Sequence, residues 1–187
     1  KKAMSKAHAA WMEDFRHRSF QERRELILGI RERYEENRAL LIQTMAEDTG
    51  RDAEAWYEAA EFNRMLGNAT IAADALVSED GAVRACFLEP IICTGGDGQN
   101  LRRVNEPYGV VKIYGPRNFL AAINSKASAG YFGALAAGNV PVSIANMIGA
   151  RSCSLFAQLA AQVFDDKGYH PGMATTLNIH DKKRAKA

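Results

Sequence analysis

Between Tyr108 and about residue 180, three short apolar runs alternate with two longer ones of helical spacing. Val110–Tyr114, Val140–Ile144 and Ala174–Ile179 have the length and apolar content of buried strands. Leu120–Ala137 is mostly Ala, Gly and Ser, so it can lie close to a sheet. Ala150–Phe164 turns Leu155, Phe156, Leu159, Ala160 and Val163 to one side. Strands joined by crossovers this long pair in parallel, because a hairpin cannot return the chain in the same direction. A β-α-β-α-β unit of this kind is half of a doubly wound sheet, and ligands on such sheets sit at the carboxyl ends of the strands. The candidate site is therefore Gly115–Phe119 together with Ala145–Gly149.

The N-terminal third predicts packing helices. Ser19-Phe20-Gln21-Glu22 is a capping box. Behind it Leu26, Ile27, Ile30, Tyr34, Leu41 and Met45 share one face, and Gly50 suits a left-handed stop after Thr49. Asp52 can cap a following helix that carries Trp56, Ala59, Ala60, Phe62, Leu66 and Ile71 inward, and an earlier helix holds Ala10, Trp11 and Phe15. Residues 79–107 change character. A turn at residues 78–81 leads into a strand from Val83 to Cys93, the turn Thr94–Gly98, and a returning strand from Gln99 to Asn105. Gly95-Gly96-Asp97-Gly98 lacks the Lys-Ser/Thr of a phosphate loop, and no helix follows it. A projecting hairpin leaves an edge that invites a partner strand, so residues 83–105 are expected to join copies into a homo-oligomer.

The expected fold class is α/β: packing helices over 1–78, a hairpin arm over 79–107, a partial dinucleotide-binding unit over 108–180 and a basic tail over 181–187. The formal net charge of +2 is small and scattered, which argues against nucleic acid. No run approaches the ~20 apolar residues of a membrane span. The polar, helical N-terminus shows no secretory pattern. Cys86, Cys93 and Cys153 form neither a CxxC pair nor a framework and read as reduced thiols of a cytoplasmic protein. No metal site is expected.

At the candidate site, Gly115 lets backbone approach a ligand closely, and Pro116 stiffens the loop while removing a donor. Asn118 has two readings on spacing alone. Its amide can donate to an oxygen whose charge grows during a reaction, or it can cap the helix that follows. No GxGxxG follows the first strand, so the usual dinucleotide fingerprint is absent. Cys153 lies inside a helix, where a lone Cys packs as a small apolar residue, and His170 beside Pro171-Gly172 reads as a loop residue.

Glu106-Pro107-Tyr108-Gly109-Val110-Val111, Gly115-Pro116-Arg117-Asn118-Phe119 and Ala134-Leu135-Ala136-Ala137-Gly138-Asn139, in this order and spacing, resemble the aldehyde dehydrogenase superfamily. Ala9-Ala10-Trp11, Glu22-Arg23-Arg24 with Leu26, Asp48-Thr49-Gly50, and His170-Pro171-Gly172 with Leu177-Asn178-Ile179 extend the resemblance over nearly the whole chain, to about residue 180. The resemblance implies an NAD- or NADP-dependent oxidoreductase that converts an aldehyde to an acid through a Cys thioester. It implies that Asn118 helps to stabilise the oxyanion and that Ile113, Tyr114, Gly115, Pro116 and Arg117 lie along the nucleotide. It makes residues 83–105 the oligomerisation arm.

The departures from that pattern shape the expectation equally. Arg117 replaces the loop Trp and Leu120 the second Pro of the family's loop. Ile144 stands where the family's ribose-gripping Lys belongs, and Met147 where a Glu often stands. Losing one charged hydrogen bond costs roughly 1.5–3 kcal/mol. Cofactor binding is therefore expected to be weakened or lost. Pro141 is unusual within a strand because it offers no ladder donor. The chain opens on Lys1 and stops before the segments that carry the family's catalytic Cys and general-base Glu. It is expected to be an N-terminal portion, inactive alone. The alternative is a non-catalytic, degenerate relative acting as an oligomerisation or interaction module.

Overall fold

The computed structural model describes residues 1–77, 82, 91–94, 100–103, 106–115, 120–121 and 130–178. Four helices open the chain: α1 (Lys2–Glu13), α2 (Phe20–Glu36), α3 (Arg38–Thr49) and α4 (Asn63–Asp74), the last preceded by a π-helical stretch, Ala53–Phe62. Strands β1 (Ile91–Thr94) and β2 (Asn100–Arg103) follow, then β3 (Val110–Tyr114), α5 (Tyr131–Ala136), β4 (Val140–Ala145), α6 (Ala150–Asp166) and β5 (Thr175–Asn178).

The capping box forms as the sequence predicts. Ser19 Oγ accepts from the Glu22 amide, and the Glu22 carboxylate accepts from the Ser19 amide at 2.8 Å. Leu26, Ile27, Ile30 and Tyr34 are buried. The helix does not run unbroken to Thr49, however. At Asn37 (φ −105°, ψ 20°) the side-chain Nδ2 takes the Arg33 carbonyl at 2.8 Å, replacing the backbone amide and splitting the run into α2 and α3. Gly50 then ends α3 at φ 67°, a conformation glycine adopts without a Cβ clash.

Asp52 caps the next helix, accepting from the Ala55 amide at 2.7 Å. Its inward face differs from the sequence expectation. Phe62 and Leu66 are buried, but Trp56 is 46% and Ile71 60% exposed, and Ala60 is exposed too. Tyr57, Met65, Ala69 and Ala73 take the core positions instead. The π-helical opening takes extra residues per turn and so rotates the face away from a 3.6-residue projection. Trp56 packs outside under the Arg51 guanidinium, 4.5 Å from the ring centroid.

Strands β1 and β2 pair antiparallel, Ile91 opposite Arg103 and Thr94 opposite Asn100, so a hairpin is present. Thr94, expected in the turn, pairs within β1; the rest of the expected turn (95–98), Gln99, residues 104–105 and the expected strand segment 83–90 lie outside the described residues, as do the turn at 78–81 and the tail. The other sheet is parallel, ordered β3-β4-β5, with Val110 opposite Val140 and Val142 opposite Thr175. This is the arrangement the alternating pattern requires. Strand β3 is less buried than its apolar run suggests: Ile113 is buried, while Lys112 and Tyr114 are exposed. β4 is buried along its whole length because α5, α6 and α1 cover it.

Pro141 sits in β4 at no cost to the ladder. The Val140 amide donates to Gly109 O at 2.8 Å, so alternate residues from Val140 face β3. The nitrogen of Pro141 points to the β5 side, where pairing begins only at Val142. No donor is missed there.

Candidate functional site

The motif residues that tie the sequence together are mostly joints of the fold. The Asn139 side-chain oxygen accepts from the Gly109 amide at 3.0 Å, which locks the start of β3 to the start of β4. Trp11 Nε1 donates to Gly138 O at 3.1 Å, and its ring lies where a Cβ on Gly109 would come to 3.2 Å. Arg23 Nη1 donates to Ala136 O at 3.1 Å, closing the end of α5. A Cβ on Gly138 (φ 81°) would meet that guanidinium at 2.8 Å, so both the backbone angle and the space call for glycine. Asp48 Oδ2 accepts from the Ser152 amide at 2.9 Å and from Ser152 Oγ at 2.6 Å, capping α6 from another helix. Sequence reasoning found these residues only as matches. Their partners lie about 100 positions away or more, except the Gly109–Asn139 pair, so no local pattern announces them.

The carboxyl ends of β3, β4 and β5 lie side by side. Tyr114 is opposite Ile144, and Ala145 opposite Asn178. The Gly115 amide donates to Ile144 O at 3.0 Å, extending the ladder past Tyr114. The register thus brings together Ile113, Tyr114, Gly115 and Ile144. Pro116, Arg117 and Asn118 lie outside the described residues. After β4, Asn146 Oδ1 accepts from the amides of Ile148 (2.8 Å) and Gly149 (2.9 Å), folding the loop tightly into α6. Sequence reasoning missed this turn, though an Asn three residues before a glycine is its usual signal. A Cβ on Gly149 would meet the end of the Leu120 side chain, which would have to shift.

The rim of this end is apolar. Tyr114 is 56%, Met147 67% and Ile148 44% exposed. The Ile144 side chain is buried. Cys153 is buried in α6, and that burial pushes its thiol up to about 12, which agrees with a packing role. His170 accepts from the Gly172 amide at its Nδ1, 2.9 Å away, capping a short 3₁₀ turn. Among the described residues no group of three or more His, Cys, Asp or Glu is placed to hold a metal ion.

A parallel sheet whose strand ends meet beside a tightly turned loop is the frame the resemblance predicts, and the sequence model of the aldehyde dehydrogenase family matches residues 1–184. The chain belongs to the aldehyde dehydrogenase family. A curated relative, N-succinylglutamate 5-semialdehyde dehydrogenase of Chromobacterium violaceum, is 31% identical over 99 residues, which cover 53% of this chain and 18% of that one. Among solved aldehyde dehydrogenases, succinic semialdehyde dehydrogenase of Streptococcus pyogenes in complex with NADP+ superposes with a TM-score of 0.75 at 19% identity, covering 99% of this chain and 37% of that one. Glyceraldehyde-3-phosphate dehydrogenase of Methanocaldococcus jannaschii complexed with NADP gives 0.73 at 19% identity, with 95% and 35% covered. At these identities the likeness to the solved structures is one of fold. The chain spans about a third of the length of these solved aldehyde dehydrogenases. Among the described residues no helix is long and apolar enough to cross a membrane.

Proposed function

We propose that this chain is the N-terminal, cofactor-side portion of an NAD(P)-dependent aldehyde dehydrogenase-like oxidoreductase. The observation that carries this reading is the family match over residues 1–184 onto a parallel sheet whose strand ends converge beside Gly115. In this reading Asn118 donates its side-chain amide to the oxyanion of the reacting aldehyde. Gly115 and Pro116 shape the loop that holds it, and Ile113, Tyr114, Arg117 and Ile144 line the nucleotide path.

The described residues fit part of such a cofactor. Exposed Tyr114, Met147 and Ile148 offer apolar surface suited to a flat base. At the position of the family's ribose-gripping Lys, the buried, apolar Ile144 offers no hydrogen bond, and the Asn146 oxygen is already taken by two amides. A bound nicotinamide cofactor supplies the hydride acceptor in such chemistry. Cys153 stays protonated inside α6 at neutral pH and offers no thiolate; this reading expects weak binding and no turnover by this chain alone. A homo-oligomer joined through residues 83–105, a cytoplasmic setting and a small aldehyde substrate complete the reading.

The test is an assay of the purified chain with a panel of aldehydes and either NAD or NADP, beside a calorimetric titration with each cofactor. The expected result is weak saturable binding and no NAD(P)H. Turnover that survives purification and disappears in Asn118→Ala would overturn the inactivity. The buried Ile144 favours a second reading, a degenerate relative that acts through its hairpin. That reading requires no saturable cofactor binding, and a drop in mass by light scattering when residues 83–105 are deleted.

A further inference from the structure

At the amino ends of β3 and β4, away from the loops after Tyr114 and Ala145, a pocket of about 370 Å³ opens between the N-terminal helices and the sheet. Arg16, Arg23, Phe20, Glu106, Tyr108 and the Gly138-Asn139 backbone shape it. Its volume lies within the range of small-molecule sites, roughly 300–1,000 Å³.

The charges there are out of balance. Neither Arg16 nor Arg23 has a carboxylate within ion-pair distance among the described residues, whereas Arg18, Arg24, Arg33, Arg38 and Arg151 all do. Arg16 lies over the Trp11 ring at 5.1 Å and Arg23 over the Phe20 ring at 4.6 Å. Aromatic faces thus hold both guanidiniums without neutralising them. Arg23 spends Nη1 on the Ala136 carbonyl, and its Nε is buried without an acceptor. Partial burial lowers the Arg23 pKa by desolvation, as expected for a cation with no counter-charge. Glu106 lines the same pocket but is exposed and pairs with neither arginine. Tyr108, 94% exposed, stands at the rim.

We propose that this pocket binds a small organic anion, a carboxylate or phosphate carried on an apolar or aromatic body, with Arg16 and Arg23 taking the charge and Phe20 and Tyr108 the body. Planar guanidiniums match both oxyanions, and stacking on rings leaves for the ligand the donors not already spent, Arg16 Nη1 being on Met12 Sδ at 3.5 Å and Arg23 Nη1 on the Ala136 carbonyl. The site is separate from the proposed nucleotide path and stands or falls independently of it.

The probes are benzoate, benzyl alcohol and inorganic phosphate, titrated against the purified chain by calorimetry and thermal unfolding. Benzoate or phosphate is expected to bind saturably at millimolar concentration and raise Tm, and benzyl alcohol is not. Benzoate binding better than phosphate identifies the carboxylate-on-a-ring class; the reverse identifies the phosphate class. Arg16→Ala, which removes an exposed side chain and should fold normally, is expected to weaken binding about tenfold, the size of one charge-assisted contact. Glu106→Gln is expected to tighten it. No saturable binding of either anion, or binding unchanged in both variants, would overturn the proposal.

Discussion

Asp48→Ala tests whether a carboxylate on one helix is what starts another. Helix α6 has no cap of its own: Gly149 offers no side chain, and the first turn holds no acidic residue. Asp48 supplies the missing acceptor with two bonds, 2.9 Å to the Ser152 amide and 2.6 Å to its hydroxyl. Each charge-assisted bond is worth about 1.5–3 kcal/mol, and the two share one oxygen, so they do not add in full. The mutation also strands the Ser152 hydroxyl, which is only 1% exposed. A cost of about 2–4 kcal/mol follows. For a chain of this size that lowers Tm by about 5–15 °C. Thermal and urea unfolding by circular dichroism measures it. Asp48→Asn, which keeps an acceptor and loses the charge, should fall roughly midway. The decisive control is the double-mutant cycle with Ser152→Ala, expected to show coupling of at least about 1 kcal/mol. Coupling near zero, or an Asp48→Ala loss below about 0.5 kcal/mol, refutes the cross-helix cap.

Three further outcomes are expected. Gly172→Ala should destabilise more than Gly149→Ala, because a Cβ at Gly172 would run into the Lys6 backbone carbonyl whereas at Gly149 it meets a Leu120 side chain that can rotate; urea midpoints compare the two. Ile144→Lys should tighten NAD binding by about tenfold to a hundredfold by calorimetry while lowering stability, since the ammonium must reach the rim from a buried position; unchanged affinity removes the basis for placing Ile144 on the nucleotide path. The Cys153 thiol is raised by burial from its ordinary 9.0 to about 12. The folded state therefore holds that proton more tightly than the unfolded chain does. Its contribution is complete below about pH 9 and is lost as pH rises toward 12. Native Cys153 should resist iodoacetamide at pH 8, and Cys153→Ala should flatten the alkaline loss of stability.

The joints and the site differ in how far local sequence could reach them. A capping box, a glycine stop and an aspartate cap each act within four residues, so the residues alone place Ser19, Gly50 and Asp52 correctly. The inward face of the helix beyond Asp52 could not be read this way. Its opening is π-helical with Tyr57 and Phe62 in the core, and the sequence expectation placed Trp56 and Ile71 on the wrong side. The break at Asn37 was visible in principle, as an asparagine that competes for the Arg33 carbonyl, but the hydrophobic face continues across it. Of the candidate site, the strand ends and Gly115 were legible as motif, whereas the Asn118 loop lies outside the described residues.

What the sequence determined by itself is the parallel order of β3, β4 and β5. Apolar runs separated by long helical segments admit no hairpin return, and the spacing of glycines and prolines marks where the strands stop. What only the tertiary structure decided is which side chains hold that order in place. Asp48 on Ser152, Trp11 on Gly138 and Arg23 on Ala136 are contacts across more than 100 positions. Each is an ordinary residue until packing carries it to a distant backbone group, and no one-dimensional period encodes that meeting.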